Sequence, residues 1–290
     1  DIGNLQVSTL TLRGCKLLKA VPESFGKLDK LTKLNFYDCA ALESLPESIG
    51  NLTKVTEIDL SQCTALTSLP ASLGQLTGLK KLTMPRTGLT TLPAAISSLS
   101  ALEELDVTGK EGTPGIRGVA ADVFSGLTKL KKLNASNNSF SGDLSWLKDL
   151  SALQTLRLDG NQLSGQLDLS QFSPNLTDVY LSNNKLEGNL NGISTLTKVR
   201  NLYLEHNLLS GELPAELGNC STLSYFYLSN NNITGTIPVE VAKMNLGYSG
   251  LKLNGNRMSG EIPAEVLSSA VWKKLYPETN IYPQQEGYGF

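Results

Sequence analysis

The chain has 290 residues, 25 basic and 27 acidic side chains for a formal net charge of −2, four cysteines and one histidine. That mixed, near-neutral balance excludes a surface built to hold nucleic acid or an anionic membrane, and no apolar run approaches the roughly 18 residues of a membrane span. The cysteines show no CxxC or Cys/His spacing, so little raw material exists for a metal site and no cofactor is expected.

From its first residues the chain repeats itself. A nine-residue template, LxxLxLxxN/C, appears as VSTLTLRGC (7–15), LTKLNFYDC (31–39), VTEIDLSQC (55–63), LKKLTMPRT (79–87) and LEELDVTGK (102–110). It continues as LKKLNASNN (130–138), LQTLRLDGN (153–161), LTDVYLSNN (176–184), VRNLYLEHN (199–207), LSYFYLSNN (223–231) and a weaker YSGLKLNGN (248–256). These eleven copies are spaced 23–25 residues apart, with one interval of 28. Each copy predicts a short strand and a turn. Its fourth and sixth positions face inward, its third, fifth and seventh outward, and it pairs in parallel with the next copy. One coil cannot bury its leucines alone, so stability must come from stacking.

The ninth position forms a ladder. Asn138, Asn161, Asn184, Asn207, Asn231 and Asn256 supply donors and an acceptor for the turn backbone of adjacent coils. Cys15, Cys39 and Cys63 hold that place in the first three copies, as free buried thiols, while Thr87 and Lys110 interrupt the series. Cys220, in GNCSTL, has no obvious partner.

The stretches between strands change character along the chain. AVPESFGKL, SLPESIGNL and SLPASLGQL predict a short helical turn after a proline. SGELPAELGN, TGTIPVEVAK and SGEIPAEVLS add a short extended segment before that turn. The two kinds meet near residues 108–128, where GKEGTPGIRG marks a loop. After Arg257, the residues Val266, Leu267, Val271, Trp272 and Leu275 offer a helix face, with Tyr276, Tyr282, Tyr288 and Phe290 placed to cover the last coil. DIGNLQ reads as the tail of an earlier repeat, so a capping segment is expected upstream of Asp1.

The outward columns carry the candidate chemistry. Third positions alternate in sign through Lys33, Glu57, Lys81, Glu104 and Lys132, as a ladder that satisfies itself. Fifth positions place Tyr180, Tyr203 and Tyr227 on consecutive strands, with Tyr225 close by and Arg157, Asp178, Asp159 and Glu205 around them. Aromatic clusters rimmed by charge suit a ligand-binding face. The same rings could instead stack on one another and stabilise the sheet. Catalysis of the Ser-His-Asp or Cys-His kind would rest on His206 alone, beside the ladder at a turn position, so no catalytic residue is assigned.

The template resembles the leucine-rich repeat superfamily over residues 5–265. Repeats such as LYLEHNLLSGELPAELGN resemble the plant-type subclass, without its paired-cysteine N-terminal cap. The closing IPAEVLSSAVWKKLYPETNIYPQQEGYGF resembles secreted or surface leucine-rich repeat proteins of gut Bacteroidetes. The resemblance implies an α/β fold, a right-handed solenoid of about eleven coils with a concave parallel sheet. Residues 1–260 would form the solenoid and 261–290 a capping segment of the same structural domain. It further implies a non-catalytic, monomeric scaffold, extracellular or on a bacterial surface, that binds a protein or glycan on its concave face. The rival is a passive structural or adhesive spacer. A ubiquitin-ligase effector would need a catalytic-cysteine domain that these residues do not contain.

Overall fold

The computed structural model describes residues 2–290, so the expectation about a segment upstream of Asp1 lies outside the described residues. Two compact units divide after Ser141.

In the first unit, the strands Thr9–Thr11, Lys33–Asn35, Glu57–Asp59, Lys81–Thr83, Glu104–Asp106 and Lys132–Asn134 pair in parallel in sequence order, always at the same template position. Alternation does what the template requires. Leu34, Ile58, Leu82, Leu105 and Leu133 point inward and are buried, as are the sixth-position Phe36, Leu60, Met84, Val107 and Ala135. Opposite the sheet stand the 3-10 helices Glu23–Lys27, Glu47–Asn51, Ala71–Gln75 and Ala94–Ser98, each entered from a proline whose φ lies between −73° and −65°. The pyrrolidine ring fixes that angle in advance, which is why the motif carries proline there. Gly26 and Gly74 let these helices approach one another closely. A Cβ on Gly26 would lie 2.5 Å from the Ser48 carbonyl oxygen, and one on Gly74 would lie 2.6 Å from that of Ala95.

The second unit stacks Thr155–Arg157, Asp178–Tyr180, Asn201–Tyr203, Tyr225–Tyr227 and Leu251–Lys252 in the same way. The extra extended segments are present: Gln162–Leu167 pairs with Lys185–Gly188, and Ser210–Glu212 with Asn232–Thr234. In the first unit, Arg117–Val119 pairs with Ser139–Ser141. GKEGTPGIRG is therefore a loop only in part, since its last two residues already belong to a strand.

The ladder binds coil to coil. Asn207 Nδ2 donates to the Leu181 carbonyl of the preceding coil at 3.0 Å and to Leu204 of its own at 3.1 Å, while Oδ1 accepts from Leu186 N at 3.0 Å. Asn184, one coil earlier, and Asn231 and Asn256, one and two coils later, repeat the same set. Cysteine makes a shorter version: Cys39 Sγ donates to the Leu12 carbonyl at 3.0 Å, and Cys63 Sγ to that of Phe36 at 3.2 Å. The residue before the rung adopts the left-handed conformation, with φ between 54° and 64° at Asp38, Gln62, Arg86, Asn137, Asn183, His206 and Asn230. His206 is thus a turn residue of the template.

Three expectations need correction. Cys15 is exposed, because among the described residues no earlier strand lies beside the first one. Cys220 is buried and does have partners, with Sγ 3.7 Å from the Ile193 carbonyl oxygen and 3.8 Å from that of Glu216. The terminal aromatics are not buried: Tyr276, Tyr282, Tyr288 and Phe290 are exposed, as is Leu267, and among the described residues only the Tyr282 ring of these meets another ring, that of Trp272 at 6.2 Å. Val266, Trp272, Leu275 and Ile281 are the buried residues of this segment.

What closes that edge is a disguised rung. Gln284 Nε2 donates to the Leu253 carbonyl of the preceding coil at 3.1 Å and to Ile281 three residues before it, and its Oε1 accepts from Met258 N at 3.2 Å. These are the bonds an asparagine rung makes, from a side chain one methylene longer. YPETNIYPQ (276–284) therefore places Ile281 in the sixth position of the template and Gln284 in the ninth, although Pro277–Asn280 is a helical turn rather than a strand.

Two tests follow from this architecture. Burial pushes the Cys63 thiol up to about 12 and raises those of Cys39 and Cys220. Ellman titration of the native protein is expected to show one fast thiol, mapped by mass spectrometry to Cys15, and the other three only in denaturant. Asn207→Ala removes four backbone partners at once and is expected to cost about 3 kcal/mol in urea unfolding, with Gln284→Ala destabilising in the same direction. A neutral Gln284→Ala would refute its assignment as a rung.

Candidate functional site

One row of the second unit stands apart. The fifth-position residues Arg157, Tyr180, Tyr203, Tyr227 and Lys252 are direct register partners across five strands. Because they point away from the leucine core, packing inside the coil does not require aromatic rings there. The rings of Tyr180 and Tyr203 meet edge to face at 4.7 Å and 87°, and those of Tyr203 and Tyr227 stack in parallel at 4.6 Å and 5°. Tyr225 adds its ring at 6.3 Å and 86° from that of Tyr227. The Arg157 guanidinium sits 4.2 Å above the Tyr180 ring, and Lys252 Nζ 4.0 Å above that of Tyr227. Such contacts draw a cation to the negative face of the ring.

Two of the three acidic residues are held by neutral donors in this unit. Asp178 accepts from Asn201 Nδ2 at 2.5 Å and from Thr177 Oγ1 at 2.6 Å, and Glu205 accepts from Ser182 Oγ at 2.9 Å. Of the eight residues singled out from the sequence, Tyr180, Tyr203, Tyr225, Tyr227, Arg157 and Asp178 lie on strands of this unit, while Asp159 and Glu205 follow two residues after Arg157 and Tyr203, past the strand ends. Lys252 stands in the same fifth column but is not among the residues singled out from the sequence, since its place over the Tyr227 ring is a matter of rotamer. Burial among its neighbours pushes the Tyr203 phenol up to about 12, reinforced by Tyr227, Tyr180 and the Glu205 carboxylate. The Tyr227 phenol is raised by burial and by Glu205.

The first unit treats its outward face differently. Lys33 pairs with Glu57 at 2.9 Å, and Glu104 accepts both Lys81 at 3.1 Å and Lys132 at 3.0 Å. The Lys132 hydrogen bond is the main reason that the Glu104 carboxyl lies below its usual range. A groove lined by Arg86, Thr87, Thr108, Lys110 and Asn137 opens where Thr87 and Lys110 interrupt the ladder. Among the described residues, no group of three or more His, Cys, Asp or Glu is placed to hold a metal ion, and no helix is long and apolar enough to cross a membrane.

A family model described as leucine-rich repeat region matches residues 38–186, and a second, leucine rich repeat, matches 198–220 and 222–244. The chain is a leucine-rich repeat protein. No curated protein sequence matches it. Among solved leucine-rich repeat structures it resembles the plant peptide hormone receptor RGFR1 in complex with RGF2, with a TM-score of 0.76 and 26% identity, over 91% of this chain and 46% of that one. The Arabidopsis receptor kinase HAESA, in complex with the peptide hormone IDA and the co-receptor SERK1, is similar at a TM-score of 0.70 and 30% identity, over 85% of this chain and 41% of that one. A leucine-rich repeat protein of Leptospira interrogans is similar at 0.66 and 26%, over 92% of this chain and 69% of that one. The chain thus spans less than half the length of the two plant receptors it resembles. Its fold is the α/β leucine-rich repeat solenoid.

The tyrosine row of this leucine-rich repeat protein has a pH signature. Tyr203 ionises higher in the folded than in the unfolded chain, so its contribution to stability is intact below pH 10 and is lost as pH rises towards about 12. Melting temperatures recorded from pH 9 to 12 are expected to fall less steeply for Tyr203→Phe than for the parent. Equal slopes would show that the phenol is not shielded.

Proposed function

We propose that the chain is a non-catalytic binding scaffold, extracellular or on a bacterial surface, which takes a protein or glycan on the outward sheet face of residues 142–290. The observation that carries this reading is the aligned row of stacked tyrosines at positions the core does not need, flanked by Arg157 and Lys252. Rings fixed against one another lose little side-chain entropy when a partner docks, which favours affinity. Asp178 and Glu205 add oriented hydrogen-bond acceptors beside the rings. Two of the similar structures are receptors solved with peptide hormones, which supports a protein ligand.

One observation favours the passive spacer. A 4.6 Å parallel stack is itself cross-strand packing, so the row contributes stability whether or not it binds anything. The rings are half-buried by each other, and their removal is therefore not neutral for the fold. Tyr203→Ala combined with Tyr227→Ala is expected to cost about 1–2 kcal/mol of stability through lost aromatic pairs. On arrays of extracellular-matrix proteins and of glycans, the same double variant is expected to lose about 2 kcal/mol or more of binding. Lys81→Ala, in the self-paired ladder of the other unit, serves as the control that should bind normally. Unchanged array binding with a lowered melting temperature would show that the row is cross-strand packing and overturn its assignment as the binding face.

A further inference from the structure

We infer that the groove beside the interrupted rungs of the first unit binds a sugar acid, a saccharide unit that carries one carboxylate. This goes beyond the binding reading above, since the site is made of other residues and does not depend on the tyrosine row.

The groove begins with breaks in the template. Gln62, Arg86, Gly109 and Asn137 hold the eighth position on four consecutive coils. Their turns are tied in register: Gln62 N donates to the Pro85 carbonyl at 3.0 Å, Arg86 N to Thr108 at 2.8 Å and Gly109 N to Ser136 at 2.9 Å. Glycine is required at the third of these places, because a Cβ on Gly109 would overlap the Asn137 carbonyl oxygen. The column therefore has no side chain between Arg86 and Asn137, whose backbones are two coil steps, about 10 Å, apart. At the ninth position Thr87 and Lys110 stand where later coils tuck an asparagine under the turn. The hollow that results has a volume of about 760 Å³, within the range of about 300–1,000 Å³ of small-molecule sites.

Its lining excludes several ligand classes. Among the described residues, no aliphatic or aromatic side chain lines it, so a nucleobase has no ring to stack on and a lipid or hydrophobic anchor no apolar pocket. What it offers is amides and hydroxyls. The side-chain amides of Gln62 and Asn137 and the Thr87 hydroxyl make no hydrogen bond among the described residues, and each has donors and acceptors to spare. Sugar hydroxyls need both kinds of partner side by side, because each donates once and accepts as well.

Charge adds the acid. Arg86 and Lys110, on neighbouring coils, are exposed and have no carboxylate within ion-pair distance. Glu111 is the one carboxylate of the lining. Two more stand on the adjoining strands, Asp59 held by the Ser61 amide and hydroxyl and Asp106 by those of Thr108. Asp38, one coil before Gln62, is paired with Lys16. The acids around the groove repel a densely charged polyanion, while the two cations leave a place for a single carboxylate. A neutral sugar would leave Arg86 and Lys110 unanswered, and a bare carboxylate would leave the amides so.

The test is titration of the intact chain with glucuronate, glucose and acetate, read by saturation-transfer NMR and calorimetry. Glucuronate is expected to bind about tenfold or more tighter than either of the others, as one charge-assisted contact or the hydroxyl set is missing from each. Arg86→Gln and Lys110→Gln should each weaken glucuronate about tenfold and leave the melting temperature unchanged, since both side chains are exposed and unpaired. Glu111→Gln should strengthen it, and the Tyr203→Ala, Tyr227→Ala double variant should bind as the parent does. A disaccharide ending in glucuronate separates two sources of the same chemistry. Tighter binding than the monosaccharide points to the end of a longer glycan and equal binding to a free sugar acid, and either supports the site. Glucose bound as tightly as glucuronate and undiminished in Arg86→Gln would overturn the inference in favour of a neutral-sugar site. Acetate bound as tightly as glucuronate would overturn it in favour of a plain anion site. Glucuronate binding that is lost in the tyrosine double variant but kept in Arg86→Gln would move the ligand to the row. Absence of binding to any of the three would overturn the inference and leave the reading of the tyrosine row standing.

Discussion

A coil of this protein turns its backbone through the interior at every repeat, and the amides and carbonyls of that turn have no water to bond. Such groups cost about 1–3 kcal/mol each when left unpaired, so the stack exists only if each turn finds partners in its neighbours. The ninth template position meets this constraint. Asn184, Asn207, Asn231 and Asn256 each donate to carbonyls of two coils and accept an amide from the earlier one. The hydrophobic stack of inward leucines supplies the driving force, while the rung fixes the register in which the strands meet. Only because that register is strict do the fifth-position side chains fall into one row.

With the inside committed, the outward face is free to differ between the units. In the first, lysines and glutamates answer each other, Glu104 holding Lys81 and Lys132 together. Exposed pairs of this kind add little stability, but they leave no charge seeking a partner. In the second, the fifth template positions rather than the third carry the distinctive side chains, three rings with a cation over each end. The contrast arises from side-chain choice alone, since strand length and pairing are the same on both sides.

The coils, the rungs and the outward columns were legible in the sequence because each depends on spacing along the chain. What escaped depends on neighbours in space. Cys15 fits the template as well as Cys39, yet it is exposed because burial of a rung needs a coil on the preceding side. Tyr276 and Tyr288 look like a cover for the last coil, but side-chain apolarity does not decide which way a short segment folds; the backbone and Gln284 do. Gln284 was invisible as a rung because YPETNIYPQ contains no leucine and its amide sits one methylene further out. The tyrosine row was readable as an alignment of positions. That its ring faces would be occupied was not, since stacking at 4.6 Å is a matter of rotamers.

The strict register of the row also makes its reach a quantised length. Each repeat adds one strand, and each strand adds about 4.8 Å between the flanking cations, whatever the sequence of the turns behind it. Gain of one whole repeat between Tyr180 and Tyr203 would leave every rung satisfied and the chemistry at both ends unchanged. It would alter the distance between Arg157 and Lys252 by that single increment. Such a surface can change the size of what it measures without changing how it measures, in steps of about one and a half residues of extended chain.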